Sequence, residues 1–277
     1  MTVDSFQLPR NTIPHHYDLF FEVDLNKFNF TGKETIELEL KKPSSEIILN
    51  AVELGITHAV LSQKNKSLKP KIKVDDERIL LKFNQTVKGP AKLIIEFNGK
   101  LNDSLLGFYR SKYIVGKQER HLATTQFEAP YARRAFPCFD EPEYKSTFDV
   151  SMMIDKNLKA ISNMPVKEQH GKGNKKIVKF HRTPKMSTYL LYLGVGEFEF
   201  LEDRLDETLI RIVTLPGKKS QSKLALNLTK KFLSYFQEYS GIRYPLPKLD
   251  MIALPDFAAG AMENWGAITF REVYLLF

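Results

Sequence analysis

The chain has 277 residues, enough for two domains or for one large domain with a substantial core. Apolar residues make up 43% and charged residues 27%, a globular composition that argues against disorder and against a fibrous protein. The single cysteine, Cys138, excludes an internal disulfide and a cysteine-based zinc cluster. We find no secretory signal, and no apolar run approaches the length of roughly 20 residues that a membrane helix needs. We therefore expect a soluble, cytoplasmic protein without a membrane span.

The net charge is +8, and most of the basic excess lies before residue 201. Its densest part is a glycine-rich turn surrounded by Lys172, Lys175, Lys176 and Lys179. Proteins that read nucleic acids favour arginine and stacking aromatic residues, and both are scarce near this turn. We interpret the cluster as a solvated hairpin tip and expect no nucleic-acid partner. Steep salt dependence of nucleic-acid binding would indicate the alternative, a basic β-module.

Residues 17–200 have the pattern of many short strands. Apolar and polar residues alternate in residues 17–25 and 34–40. Shorter apolar runs follow at residues 46–49, 79–83, 93–97, 148–154, 177–181 and 189–195. Turn signals separate runs at residues 42–45, 88–90 and 171–174. This pattern predicts a mainly β fold, an antiparallel saddle or sandwich, as an N-terminal domain over residues 1–200.

After residue 200 the pattern changes to mixed α and β. A strand is predicted at residues 208–215 and one helix at residues 220–240, ended by Gly241. Strands at residues 249–254 and 264–270 would flank a loop at residues 255–259. The apolar helix residues recur at spacings of three and four and are expected to pack on this new sheet. They are Leu224, Leu228, Phe232, Tyr235, Phe236 and Tyr239.

The chain ends on an apolar run, residues 273–277, with no cap and no polar tail. Chain termini usually lie exposed at the surface, and five apolar residues there would favour association. We therefore expect that this element normally continues and that the chain is a fragment.

Few residues have the surroundings of a nucleophile or of a metal ligand. Cys138 lies between Pro137 and Phe139, which would raise the pKa of the thiol and favours core packing over catalysis. Six histidines occur, none after residue 181, and they form no H-E-x-x-H motif. We expect no metal to be bound by this chain alone.

Two segments carry carboxylates in unusual surroundings. Gln126 and Glu128 would share one face if residues 124–130 are extended. Glu263 lies among small and apolar residues in Gly260-Ala261-Met262-Glu263-Asn264. From the residues alone, the simpler interpretation of Glu263 is a helix-capping or ion-paired glutamate, with Arg271 or Lys248 as the partner.

The segment at residues 260–264 resembles the exopeptidase motif of the M1 family of zinc aminopeptidases, gluzincins related to aminopeptidase N. Residues 14–19 resemble the opening strand of that family, and residues 125–145 resemble its N-terminal signature. Residues 244–257 resemble the approach to the exopeptidase motif. These segments occur in the family's order over the whole chain, which makes the set far more specific than the pentapeptide alone.

The resemblance implies how a peptide with a free N-terminus would be bound. Glu263 would hold the α-ammonium by charge-assisted hydrogen bonds, helped by Glu128. The main chain of the exopeptidase motif would run along the peptide, with Met262 and Gln126 near the first side-chain pocket. The substrate-binding residues implied in this way are Gln126, Glu128, Gly260, Ala261, Met262, Glu263 and Asn264.

The family also implies zinc, held by H-E-x-x-H and a later glutamate, and these ligands do not occur in this sequence. Residues 201–277 would then be the incomplete start of a thermolysin-like catalytic domain. The first hypothesis is the N-terminal part of a zinc metallo-aminopeptidase, inactive alone. The second is a non-catalytic module that binds peptide N-termini or docks onto a separately encoded catalytic remainder.

Overall fold

The computed structural model describes residues 7–64 and 66–277. Strands dominate this part of the chain, which confirms the mainly β fold class. In chain order the strands are β1 (Thr12–Asp24), β2 (Asn29–Asn50), β3 (Gly55–Gln63), β4 (Lys66–Leu68), β5 (Lys71–Val74), β6 (Arg78–Lys100), β7 (Gly107–Val115), β8 (Gln118–Gln126), β9 (Thr147–Asp155), β10 (Lys159–Ser162), β11 (Val166–Lys172), β12 (Lys175–Phe180), β13 (Leu193–Gly196), β14 (Glu199–Leu205), β15 (Thr208–Thr214), β16 (Lys248–Leu254), β17 (Ala261–Met262) and β18 (Ala267–Arg271). The α-helix is α1 (Lys223–Ser240), and short 3-10 segments lie at Ala132–Arg134, Thr188–Leu190, Lys219–Ser222 and Glu272–Tyr274.

The largest sheet has the strand order β11-β12-β9-β1-β2-β6-β3-β4, with β5 also paired to β6. Its neighbours are antiparallel except β1 and β9, which run parallel from His16 opposite Thr147 to Glu22 opposite Met153. The antiparallel architecture predicted for the N-terminal region therefore holds for all of this sheet but one strand pair.

Two predicted turns lie inside long strands. The run at residues 42–45 falls within β2, and the run at residues 88–90 falls within β6. The two strands pair with each other over most of their length, and the ladder between them shifts register between Leu40 and Ser44. Gly89 accommodates the irregularity with a φ of +83°. The turn residues therefore bend these strands and do not end them.

A second sheet, with the order β10-β13-β8-β7, packs against the first through an aromatic core. Phe108 of β7 lies 5.2 Å from Phe30 of β2 and 6.1 Å from Phe21 of β1, measured between ring centroids. Cys138 is fully buried in the same core, and burial raises the pKa of its thiol well above the ordinary value. The prediction that Cys138 is a packing residue is thereby confirmed.

The third sheet has the order β14-β15-β16-β18-β17 and begins at Glu199, close to the boundary expected at residue 200. Its central strands β15, β16 and β18 are parallel, and α1 connects β15 to β16. Ile210, Ile212 and Ala253 of this sheet form a separate small core with α1 and with Leu275. The division into two domains stays a prediction, since the sheets also share buried contacts.

The helix forms where it is predicted, but it presents a different face to the sheet. Gly241 ends it in the left-handed conformation, with a φ of +69°, as expected. The helix buries Ala225, Leu226 and Thr229. The predicted contact residues Leu224, Phe232, Tyr235, Phe236 and Tyr239 are instead all exposed. The expected packing face is therefore wrong for these five residues, and the sixth, Leu228, is only half-buried. The helix instead packs on the sheet through Ala225, Leu226 and the partly buried Leu233.

The lysine-rich segment forms the hairpin of β11 and β12, with Gly173 in its turn. Lys179 pairs with Glu168 across the hairpin, and Lys175 pairs with Glu22 of β1. Among the helices in the described residues, none is long and apolar enough to cross a membrane.

Candidate functional site

The candidate peptide-binding segment is a strand at the margin of the third sheet. β17 pairs with β18 through Ala261 opposite Phe270 and Met262 opposite Thr269. On its other side, β17 has no neighbouring strand within the part of the chain that the structure describes. The amide of Arg271 donates to the carbonyl of Gly260 at 3.0 Å. Because backbone groups alternate in direction along a strand, the N–H and C=O of Ala261 point towards the open edge.

A tight turn follows β17 and directs alternate side chains inward and outward. The amide of Ala267 donates to the carbonyl of Asn264 at 3.0 Å, and Gly266 has a φ of +72°. Met262 and Asn264 are buried, and Nδ2 of Asn264 donates to Oγ1 of Thr269 at 3.4 Å. Glu263 is exposed. Of the predicted substrate-binding residues in this segment, the carboxylate of Glu263 therefore faces solvent, whereas the amide of Asn264 is used inside the turn.

A buried ion-pair network lies beneath this turn. Nζ of Lys248 donates to Oδ2 of Asp250 at 2.7 Å and to the carbonyl of Gly266 at 2.6 Å. Arg211 also donates to Asp250. Its Nε lies 2.7 Å from Oδ1 of Asp250, and its Nη2 lies 2.7 Å from Oδ2. Burial lowers the pKa of Lys248 to about 8. Burial alone would raise the pKa of Asp250, but the two cations outweigh it and lower that pKa.

Arg271 holds the loop that leads into β17. Its Nε donates to the carbonyl of Phe257 at 3.1 Å, and its Nη2 donates to the carbonyl of Ala258 at 2.9 Å. Lys248 and Arg271, the two cations considered as partners of Glu263, are thus both engaged elsewhere. The ion-pair interpretation of Glu263 is therefore wrong.

The second sheet anchors the segment at residues 256–265 at both ends. The hydroxyl of Tyr109 on β7 donates to the carbonyl of Asp256 at 2.9 Å, and Oγ of Ser111 donates to Oδ2 of Asp256 at 3.0 Å. Nδ2 of Asn163, just after β10, donates to the carbonyl of Trp265 at 2.9 Å. β8 lies between β7 and β10 in this sheet. The segment at residues 256–265 is therefore attached to the same sheet that contains β8.

Gln126 is the last residue of β8, and Glu128 follows two residues later. Gln126 is buried, and its Oε1 has no hydrogen-bond partner among the described residues. Glu128 is exposed, and the peptide bond that follows it is cis. Neither Glu128 nor Glu263 has a hydrogen-bonded or ion-paired side chain among residues 7–64 and 66–277. Within the described residues, the two predicted ammonium-binding carboxylates therefore have no partner.

Within the described residues, no three or more His, Cys, Asp or Glu side chains are grouped so that they could hold a metal ion. The H-E-x-x-H motif that the M1 resemblance implies for zinc does not occur in the given sequence. Sequence reasoning did not find Tyr109, Ser111 or Asn163. They lie in ordinary strand and loop patterns, and no local signal marks them.

Comparison with protein families identifies the chain as a member of a peptidase family. Residues 13–190 match the Peptidase M1 N-terminal domain, and residues 224–277 match the Peptidase family M1 domain. The chain belongs to the M1 peptidase family.

Relatives with curated names are aminopeptidases. The chain is 42% identical to Aminopeptidase M1 of Arabidopsis thaliana, over 98% of this chain and 32% of that protein. It is 44% identical to Probable aminopeptidase 2 of Sulfurisphaera tokodaii, over 94% of this chain and 32% of that protein. Aminopeptidase 2, mitochondrial, of Saccharomyces cerevisiae is 41% identical, over 97% and 29% respectively. The chain spans about a third of the length of these relatives.

Proposed function

We propose that this chain is the N-terminal part of a zinc metallo-aminopeptidase and that it binds the free N-terminus of a peptide substrate. The observation that carries the proposal is the position of Glu263, exposed and unpaired at the end of an open-edged strand. A carboxylate in this setting can accept charge-assisted hydrogen bonds from an α-ammonium. Membership of the M1 family and the names of the relatives support this reaction class.

The geometry of β17 supports a defined peptide direction. The free N–H and C=O of Ala261 can pair with the backbone of an extended peptide, as in strand addition. The ammonium lies at Glu263, at the C-terminal end of β17, so the peptide would run antiparallel to the strand. The main chain turns back directly after Glu263, and Asn163 fixes that turn to the second sheet. Residues preceding the ammonium would meet this wall, which favours exopeptidase action.

The zinc ion would supply activated water in the whole protein, with ligands outside the residues of this chain. This chain contributes binding and orientation through Glu263, Glu128, Gln126 and the edge of β17. We therefore expect the 277-residue chain, with zinc added, to hydrolyse fluorogenic aminoacyl amides no faster than its Glu263→Ala variant. Zinc-dependent turnover that is lost in the variant would contradict this expectation.

Calorimetric titration with short peptides tests ammonium recognition directly. We expect the free peptide to bind roughly ten-fold more tightly than its N-acetylated form, because acetylation removes the charge that the carboxylates recognise. Glu263→Gln and Glu128→Gln should each reduce this difference. Glu207→Gln, in the exposed turn between β14 and β15, is the matched control and should leave it unchanged. Equal binding of both peptides by the unaltered chain would refute the proposal.

A second candidate function is docking onto the remainder of an M1 peptidase domain, carried by a separate polypeptide. The exposed aromatic face of α1 favours it, since Phe232, Tyr235, Phe236 and Tyr239 are each more than half exposed. Such a surface is unusual for an isolated domain. The relatives are about three times as long as this chain, so they contain sequence that could cover this face.

A further inference from the structure

Gly260 and Tyr274 lie close to each other at the start of β17. A Cβ atom added to Gly260 would lie 3.5 Å from Cε2 and 3.8 Å from Cδ2 of Tyr274. Because Gly260 has no side chain, the face of the sheet at this position is not covered by residue 260. The ring of Tyr274 lies next to this uncovered position. Tyr274 lies in the short 3-10 segment Glu272–Tyr274, directly after β18.

The ring of Tyr274 is held in place but not covered. The guanidinium carbon of Arg271 lies 5.9 Å from its ring centroid, within the range of a cation–π contact. Arg271 is itself fixed by the carbonyls of Phe257 and Ala258. The tyrosine is nevertheless 59% exposed. An exposed aromatic ring on a fixed support can receive an apolar side chain of a ligand.

The direction of the bound peptide decides which of its residues meets this ring. A peptide antiparallel to β17, with its ammonium at Glu263, places its first residue opposite Met262 and its second opposite Ala261. Its third residue then lies opposite Gly260. Residues directly opposite each other in an antiparallel pair carry their side chains on the same face of the sheet. The third side chain is thus directed to the face on which a Cβ at Gly260 would meet Tyr274.

We propose that Tyr274 forms a subsite for an aromatic or large apolar side chain at the third residue of the bound peptide, an inference that rests on the proposed function. Gly260 provides the space for this contact. The subsite would make the protein select peptides by a residue that is distant from the N-terminal bond.

The test uses calorimetry on the 277-residue chain with four tetrapeptide amides. These are Ala-Ala-Phe-Ala, Ala-Ala-Gly-Ala, Ala-Phe-Ala-Ala and N-acetylated Ala-Ala-Phe-Ala. We expect phenylalanine at the third position to improve binding about three- to ten-fold over glycine, the range expected for an aromatic pair. Tyr274→Ala should abolish this preference, and Tyr274→Phe should keep it. Val273→Ala, which removes a neighbouring exposed apolar side chain, is the control and should have no effect.

The outcomes separate the subsite from the proposed function. If acetylation weakens binding but phenylalanine and glycine at the third position bind equally, the subsite is wrong and ammonium recognition stands. A preference that persists in Tyr274→Ala, or that occurs only at the second position, would also overturn the subsite. If acetylation has no effect, the proposed function itself fails.

Discussion

Lys248 and Gly266 are joined by a hydrogen bond that is shielded from solvent. The ammonium of Lys248 is 1% exposed and lies 2.6 Å from the carbonyl oxygen of Gly266. The same ammonium contacts Asp250, which is 0% exposed, so one buried cation connects the centre of the third sheet to the turn after Glu263. The position of the exposed Glu263 carboxylate thus depends on buried charges beneath the turn that follows it.

Replacing Lys248 by methionine should loosen this turn. The substitution leaves Asp250 paired with Arg211 alone and leaves the Gly266 carbonyl without its donor, which we expect to cost about 3 kcal/mol of unfolding free energy. Urea unfolding followed by the fluorescence of Trp265, the sole tryptophan, measures the loss. Lys230→Met removes an exposed ion pair with Asp203 and is the control. Equal stability of the two variants would contradict the role of Lys248.

Gly266 should tolerate alanine much less well than another glycine with a similar backbone. Gly266 and Gly116 have φ values of +72° and +64°, so alanine at either position costs roughly 1 kcal/mol. A Cβ at Gly266 would also lie 2.4 Å from the carbonyl oxygen of Asn163, whereas none of the described atoms lies within 4 Å of one at Gly116. We therefore expect Gly266→Ala to lose a further 1–3 kcal/mol, roughly, in urea unfolding, and to weaken peptide binding. Similar losses for both variants would show that the close contact relaxes without cost.

The strand pattern of the N-terminal region was predictable because alternation is a local property. The alternation at residues 17–25 corresponds to β1, in which Tyr17, Leu19, Phe21 and Val23 are buried. The continuity of β2 and β6 through the predicted turns was not predictable. It depends on the two strands pairing with each other on both sides of those turns. Local turn residues cannot show whether such a partner exists.

The site was predictable only as far as its motif. Residues 260–264 identify the segment, but its geometry depends on residues remote in sequence. Asn163 is 102 residues from Trp265, and Tyr109 is 147 residues from Asp256. Long-range contacts of this kind leave no periodic pattern, so neither the attachment of the segment to the second sheet nor the freedom of Glu263 could be inferred.

The exposed face of α1 should make the chain self-associate. At 100° per residue, the predicted apolar stripe and the buried face are centred roughly 100° apart, so the stripe stays uncovered. Tyr235→Glu places a charge within the stripe and should lower the apparent mass in light scattering at high protein concentration. Ser234→Glu is the control. It places the same charge one residue earlier, on the side of the helix that faces away from the apolar stripe. A chain that is monomeric at all concentrations would contradict the prediction.

A carboxyl group in the N-terminal core should make the protein less stable as the pH rises. Glu34 of β2 is fully buried, and neither of its side-chain oxygens has a hydrogen-bond partner in the part of the chain that the structure describes. It lies between Leu19 of β1 and Ile95 of β6, and the nearby titratable groups are Tyr17 and Cys138, which are neutral at pH 7. Burial raises the pKa of Glu34 well above its ordinary value.

The sign of the effect follows from proton linkage. A carboxyl group with a raised pKa in the folded chain holds its proton more tightly there than in the unfolded chain. The free energy of unfolding therefore falls as the pH rises from about 4 up to the pKa of the folded state, by at most about 1.4 kcal/mol per pH unit. Because glutamine carries no proton to lose, Glu34→Gln should remove this dependence.

Urea unfolding at pH 5 and at pH 8 measures the difference. The unaltered chain should lose more stability between these values than Glu34→Gln, and Glu34→Leu should be the most stable of the three at pH 8, because it removes the unpartnered polar group. Glu37→Gln is the matched control on the same strand. The hydrogen bond from Lys92 holds the pKa of Glu37 below its ordinary value, so that group is ionised throughout this range. If the unaltered chain and Glu34→Gln lose stability equally between pH 5 and pH 8, Glu34 is not held neutral in the folded protein, and its carboxylate must have a partner that compensates its burial.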